Sequence, residues 1–350
     1  MKHRFFLRGR ASTLAILLFA LAHHNLARAQ GTATTLMVEL RNVVEYQVDT
    51  EDFSKWGTNP NITPGSIGKG TGVGCVGVPL IAYGDIVSIN GQPARGTYSS
   101  RGVAVCTNPT PTDSVHAIAD TTWASMRYET YEILQSDGVT PVGSIMINGL
   151  NNGSPIPPGP AVGGQNFAIV GGTGAFFGAR GQKGGRNSLL NGAVNARTAS
   201  ITEDPANRRL NGGGHVLFVL FVVPLSRPEI AITARGPAVV HSNDFSLVSA
   251  SKPATAGEIL SLFATGLGPT RASLDPGQAF PSSPLAVVNS PLAVSLNGKS
   301  SEVLGAVGYP GSVDGYQVNF RVPPDTDKGA VSLMLTAAWI PGAPVSIPVQ

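Results

Sequence analysis

Charge is scarce in this sequence. Asp, Glu, Lys and Arg together make up 13% of its 350 residues, about half the share usual in soluble domains. With 42% hydrophobic residues beside so little charge, a disordered polyelectrolyte is excluded and a charge-laced helical bundle is disfavoured. Aromatics reach only 7%, and there are two cysteines, Cys75 and Cys106. No apolar run approaches the roughly 20 residues that a bilayer-crossing helix needs; the best after the N-terminus, Val216 to Val223, is strand-sized. Neither G-x-S-x-G nor H-E-x-x-H occurs, so two common hydrolase signatures are missing. What abounds is glycine and proline, 43 and 27 residues. That balance favours short strands joined by turns.

Residues 1–29 read as an export signal. Lys2, Arg4, Arg8 and Arg10 precede the apolar run Ala11 to Ala22, and Ala27-Arg28-Ala29 supplies a small-x-small cleavage pattern. The expected mature protein is secreted or periplasmic and not membrane-spanning. Cleavage removes five basic residues and takes the formal charge from +3 to −2. The basic footprint that nucleic acid binding requires goes with it. Of the histidines, His116, His215 and His241 remain, too scattered for a metal site. Asp244, Asp275, Asp314, Asp325 and Asp327 do not fall at calcium-loop spacing. No metal and no cofactor is expected. In an oxidising compartment Cys75 and Cys106 are expected to bridge, closing a loop whose restriction is worth roughly 3–4 kcal/mol. Two buried thiols are the alternative.

Length suggests two domains, with a seam at Pro224-Leu225-Ser226-Arg227-Pro228, where an apolar run ends in two prolines. The first domain is 30–227 and the second 228–350. In the first, residues alternate with period two at Leu36, Val38 and Leu40. They do so again along Thr122 to Leu134, where Trp123, Arg127, Glu129 and Tyr131 share one face. The opposite face carries Ala124, Met126 and Tyr128. Further strands are expected at Ile81 to Ile89, Thr97 to Val105, Gly143 to Ile147, Asn166 to Val170, Arg197 to Thr202 and Val216 to Val223. Turn signals Asn90-Gly91, Asp137-Gly138, Asn148-Gly149 and Asn191-Gly192 punctuate them. About eight strands without helical periodicity point to an antiparallel barrel, because closure removes exposed edges. The predicted fold is all-β: this barrel followed by a β-sandwich.

The stretch Asn166 to Gly181, N-F-A-I-V-G-G-T-G-A-F-F-G-A-R-G, resembles the dirigent and allene-oxide-cyclase superfamily. The resemblance reads it as an apolar strand, a G-G-T-G turn, an aromatic strand and an A-R-G ending. It implies an eight-stranded barrel, often trimeric, with a pocket for a small apolar or phenolic molecule. In the second domain Gly257 to Pro269, Pro291 to Gly298 and Gly315 to Pro323 occur in order. They resemble an Ig-like C-terminal module common in exported acidobacterial proteins, which implies presentation or anchoring. Short alternating strands at turn-rich intervals agree with a sandwich.

Gly171, Gly172, Thr173 and Gly174 do not make a phosphate loop. Ala175-Phe176-Phe177 reads as strand where a dinucleotide fingerprint needs a helix. Gly68-Lys69 lacks the following Ser or Thr of a P-loop. Trp123, Arg127, Glu129 and Tyr131, if they line the barrel, supply a cation, a carboxylate and two aromatic walls. An exposed cross-strand charge pair is the competing account, with the Met126–Tyr128 face inside. Arg180, matched by the A-R-G motif, is a candidate anion anchor or a strut closing the barrel end. The run Arg180, Lys183, Arg186 and Arg197 admits an acidic polysaccharide partner or a solvated face. Three functions follow as expectations. One is an exported, non-catalytic barrel that binds a small apolar or aromatic ligand. Another is a cell-surface interaction or adhesion protein with the barrel as scaffold. The third is a cofactor-free cyclase or isomerase.

Overall fold

The structure, a computed structural model, describes residues 33–47, 78–106, 123–152, 167–186, 196–200, 203–271, 274–275 and 277–350. The export signal and Cys75 lie outside these residues, and Cys106 is described in its backbone alone, so the bridge lies outside them too. The described chain is all-β. It forms two compact units, Thr32–Leu225 and Ser226–Gln350.

The first unit is a closed antiparallel barrel. Its strands are β1 (Thr34–Gln47), β2 (Val78–Ile89), β3 (Gln92–Cys106), β4 (Trp123–Leu134), β5 (Pro141–Asn152), β6 (Phe167–Gly174), β7 (Arg180–Arg186) and β9 (Gly214–Val223). They pair in the order β2-β3-β4-β5-β6-β7-β9-β1, and β1 pairs with β2 to close the circuit. A short strand, β8 (Arg197–Ser200), runs parallel to Val44–Gln47 of β1, beyond the point where β9 ends opposite Val43. After it comes a single 3-10 turn, Pro205–Arg208, capped by the Asp204 carboxylate accepting from the Ala206 amide at 2.8 Å.

Alternation decides which side chains fill the barrel. Leu36, Val38 and Leu40 on β1, and Val216, Phe218, Leu220 and Val222 on β9, are buried inside it. Each such side chain stabilises the fold by roughly 1.5–3 kcal/mol through lost contact with water. A register shift between Leu40 and Val43 changes the parity of β1. Val43 then points at the interior, where it lies against Gly84 and near Tyr98, and Glu45 stands opposite the buried Ala82. Strict alternation from Leu36 would have sent Glu45 outward. The bulge brings it in.

Two features of the predicted barrel are corrected. Ala175-Phe176-Phe177 is not a strand: Gly171–Gly174 complete β6, and 175–178 form the turn into β7. Phe176 is buried there while Phe177 is exposed. The strand that follows, β7, has no apolar alternation in its R-G-Q-K-G-G-R sequence. It is a strand because β6 and β9 flank it on both sides, so tertiary context overrides local propensity. At Gly181, φ is +139°, and an added Cβ would come within 1.9 Å of the Phe221 carbonyl oxygen. Only glycine fits that approach.

The barrel's two ends differ. At one, β2–β3 and β4–β5 are joined by tight turns at Asn90-Gly91 and Asp137-Gly138, and β6–β7 by the 175–178 turn. The connections 48–77, 107–122, 153–166 and 187–196 all leave from the opposite end, as the antiparallel strand order requires.

The second unit holds β10 (Glu229–Ile230) through β22 (Val345–Val349). One side runs β14 (Ile259–Thr265), β19 (Tyr316–Arg321) and β18 (Lys299–Gly308). The other runs β17 (Leu292–Leu296), β20 (Gly329–Ala337) and β22, and the β17–β18 pairing joins the two. Leu260, Leu262, Val318 and Phe320 from the first side meet Val294, Leu333, Leu335 and Ile347 from the second in one buried core. That curled, doubly layered arrangement is a β-sandwich.

Each unit has its own strands and its own interior. Fragments 30–227 and 228–350, expressed separately, should each unfold cooperatively in urea. A non-cooperative transition in either would show that it depends on the other.

Candidate functional site: a charged barrel interior

Strand β4 places its odd-numbered residues inside. Glu129, Tyr131 and Ile133 are buried, whereas Met126 and Tyr128 are 47% and 58% exposed. The register against β3 shows no shift along β4, so Arg127 shares the inward face. Of the four residues expected on that face, Arg127, Glu129 and Tyr131 are thus brought together. Trp123 opens the strand, but its side chain lies outside the described residues. Arg180 is not brought to them. It is exposed and shares the outer face of β7 with Gln182, so the anion anchor expected there does not join this interior.

The residue that completes the centre is Lys183. It stands inside β7, opposite Phe167 of β6 and Leu220 of β9. Its Nζ donates to both Glu129 oxygens, at 2.6 and 2.7 Å, with the two side chains only 1% and 2% exposed. The Tyr131 hydroxyl donates to the same carboxylate at 3.2 Å. Burial, and then the neighbouring Glu129 charge, push the Tyr131 phenol well above its ordinary pKa, so it stays a neutral donor. The ammonium also lies 3.9 Å from the Phe218 ring centroid and 5.1 Å from that of Phe167, where the ring faces offer negative potential. Tyr98, Tyr131 and Phe218 touch one another with centroids 5.2–6.3 Å apart. Together these side chains plug the middle of the barrel.

This packing restricts the chemistry. The Glu129 carboxylate accepts from an ammonium and a phenol within a filled core, so it has no free edge to offer a substrate proton. The competing account, an exposed cross-strand charge pair on this face of β4, fails on exposure, because Glu129 is buried. Instead Lys183 pairs with Glu129, and Arg127 turns to Glu45. Lys183 lay hidden in the sequence within a glycine-rich basic run that resembles a solvated loop.

One step toward the end with the long connections, the Arg127 Nη2 reaches Glu45 Oε1 at 3.4 Å, the side chains being 16% and 17% exposed. That is long for a charge-assisted hydrogen bond, which usually spans about 2.7–2.9 Å. The Arg127 Nε is buried and has no hydrogen-bond partner among the described residues. Glycines stand opposite Arg127 on both neighbouring strands, Gly102 on β3 and Gly149 on β5. A Cβ at Gly149 would lie 2.0 Å from the Phe167 ring, so that ring covers the Gly149 backbone. The sequence reading singled out Arg127 but not Glu45, whose inward direction depends on the β1 bulge.

A second polar cluster lies on the outer face of β1, β2 and β9. Glu39 accepts from the Ser88 hydroxyl at 2.7 Å and lies 2.7 Å from His215 Nε2. The residue types resemble a hydrolase triad, but the order is wrong. The carboxylate sits between hydroxyl and imidazole, and no base meets Ser88. The Ser88 hydrogen bond, opposed by partial burial and aided by His215, holds the Glu39 carboxyl below the usual carboxylate range. Its role is to tie strands together.

Two outcomes test these assignments. Lys183→Met or Glu129→Gln alone should destabilise the barrel by about 3–5 kcal/mol, because each leaves a buried group uncompensated. The double variant should lose clearly less than the sum in urea titrations; additive losses would show that the two groups are not coupled. Glu39, with its folded-state pKa depressed, stabilises the fold above the unfolded carboxylate pKa and loses that contribution as pH falls through the folded value. Being partly exposed, it is worth below about 1 kcal/mol. Glu39→Gln should therefore flatten the acid limb of a melting-temperature profile while altering the neutral-pH value little.

Comparison with family models, curated proteins and solved structures finds no match to this chain, and the functional reading rests on the residues described above.

Proposed function

We propose that this is an exported, non-catalytic binding protein. In this reading the barrel takes a small apolar or aromatic ligand at the end from which the long connections leave, and the Ig-like second unit presents it. The observation that carries the reading is Arg127: a guanidinium turned inward, with a buried donor left unmet. Small-molecule sites characteristically combine apolar walls with a few converging polar groups. An unmet buried donor costs roughly 1–3 kcal/mol, which a bound acceptor would recover. The plugged midsection keeps the ligand above the Lys183–Glu129 level. It also argues against the cyclase reading, because the interior carboxylate nearest the core is already fully engaged.

A second reading, an interaction or adhesion protein with the barrel as scaffold, draws on the outer surface. Met126, Tyr128, Met146 and Val170 are exposed across β4, β5 and β6, and an exposed apolar strip of this kind suits a protein partner.

The two readings separate in solution. Titration of the ¹⁵N-labelled protein with phenols and aromatic acids should give saturable shifts centred on the Gly102, Arg127 and Gly149 amides. Shifts confined to the Met126–Val170 surface, or none at all, would favour the scaffold.

A further inference from the structure

The ligand's chemical class can be narrowed from the charges inside the barrel. We infer that Arg127 receives the carboxylate of a small monoacid, and that Glu45 holds the place of this carboxylate until the acid binds. The inference rests on the binding reading above and adds the ligand's charge.

The guanidinium is a permanent cation with five donors in a rigid fork. Of these, Nη2 makes one long contact, 3.4 Å to Glu45, and Nε makes none among the described residues. A single syn carboxylate can accept from Nε and one Nη together, which is the geometry this fork is built for. Glu45 does not achieve it, because its oxygen reaches only Nη2. The positions directly opposite Arg127 on the flanking strands are Gly102 and Gly149, which carry no side chain to compete for it.

The charge count selects a monoanion. Among the side chains described, the other interior cation is Lys183, which gives hydrogen bonds to both Glu129 oxygens and has no spare charge for a phosphate dianion. Arg127 therefore offers one positive charge, and Glu45 already uses it in part. An incoming carboxylate competes with Glu45 for the same fork, so neutralising Glu45 should favour the ligand. This sign distinguishes the proposal from a merely structural pair. If Arg127 and Glu45 existed only to stabilise each other, Glu45→Gln would bring no gain in binding.

The probes are cinnamate and cinnamamide, which share one shape and differ in charge, measured by calorimetry on the full chain. Cinnamate should bind the wild-type protein about tenfold or more tightly than cinnamamide, the ratio expected for a hydrogen bond to a charged group. Glu45→Gln should tighten cinnamate several-fold and leave cinnamamide unchanged. Arg127→Gln should bring the two probes to equal affinity. If that variant unfolds because Glu45 loses the Arg127 charge, Arg127→Gln with Glu45→Gln gives a neutral pair for the same comparison. Equal binding of both probes to wild type, or a cinnamate preference that survives loss of Arg127, overturns the carboxylate assignment and leaves ligand binding intact. No saturable binding of either probe, in wild type or in Glu45→Gln, overturns both.

Discussion

A lysine and a glutamate share the interior of a closed barrel, and the rest of the first unit is arranged around keeping them together. Taking either charge from water alone would cost several kcal/mol. The structure meets that cost with two short hydrogen bonds from Lys183, a third from Tyr131 and the ring faces of Phe218 and Phe167. Those rings come from β6 and β9, on either side of β7. The pair therefore fixes the register of three strands against β4. A one-residue slip of β7 would turn Lys183 to the solvent and strand Glu129 among aromatics. An apolar pair of similar volume could fill the same space, but it would not penalise that slip.

The same constraint divides the barrel interior into two halves. Below the pair, toward the tight turns, Leu36, Val38, Ile133 and Ile145 make an ordinary apolar filling. Above it, the polarity is incompletely met: Arg127 and Glu45 touch at long range, and a guanidinium donor is unpaired among the described residues. Interiors tolerate such a shortfall poorly. It lies at the end that carries the long connections. In the second unit the central cluster of described residues is aliphatic and aromatic.

Much of this was legible in the residues. The scarcity of charge, the turn dipeptides and the period-two alternation led to an all-β chain with a barrel and a sandwich. The face of β4 that carries Arg127, Glu129 and Tyr131 could be listed as a unit because strand geometry permits only two faces. Which face was inside could not be read, because Ala124, Met126 and Tyr128 are as apolar as an interior needs. β7 was missed for the opposite reason: its glycines and basic residues carry no apolar rhythm, and its neighbours make it a strand.

Local sequence thus determined the strand class, the turns at Asn90-Gly91 and Asp137-Gly138 and the residues that share a face, since these follow from backbone periodicity and turn stereochemistry over a few positions; Asn148-Gly149, expected as a turn, instead runs within β5. Partners across the barrel were decided only by tertiary structure. Lys183 meets Glu129 across 54 positions of chain, and Glu45 meets Arg127 across 82, the latter only after a bulge reverses the parity of β1. Closure of the sheet and the register of each strand set these meetings, and both are collective properties of eight strands that no local stretch encodes.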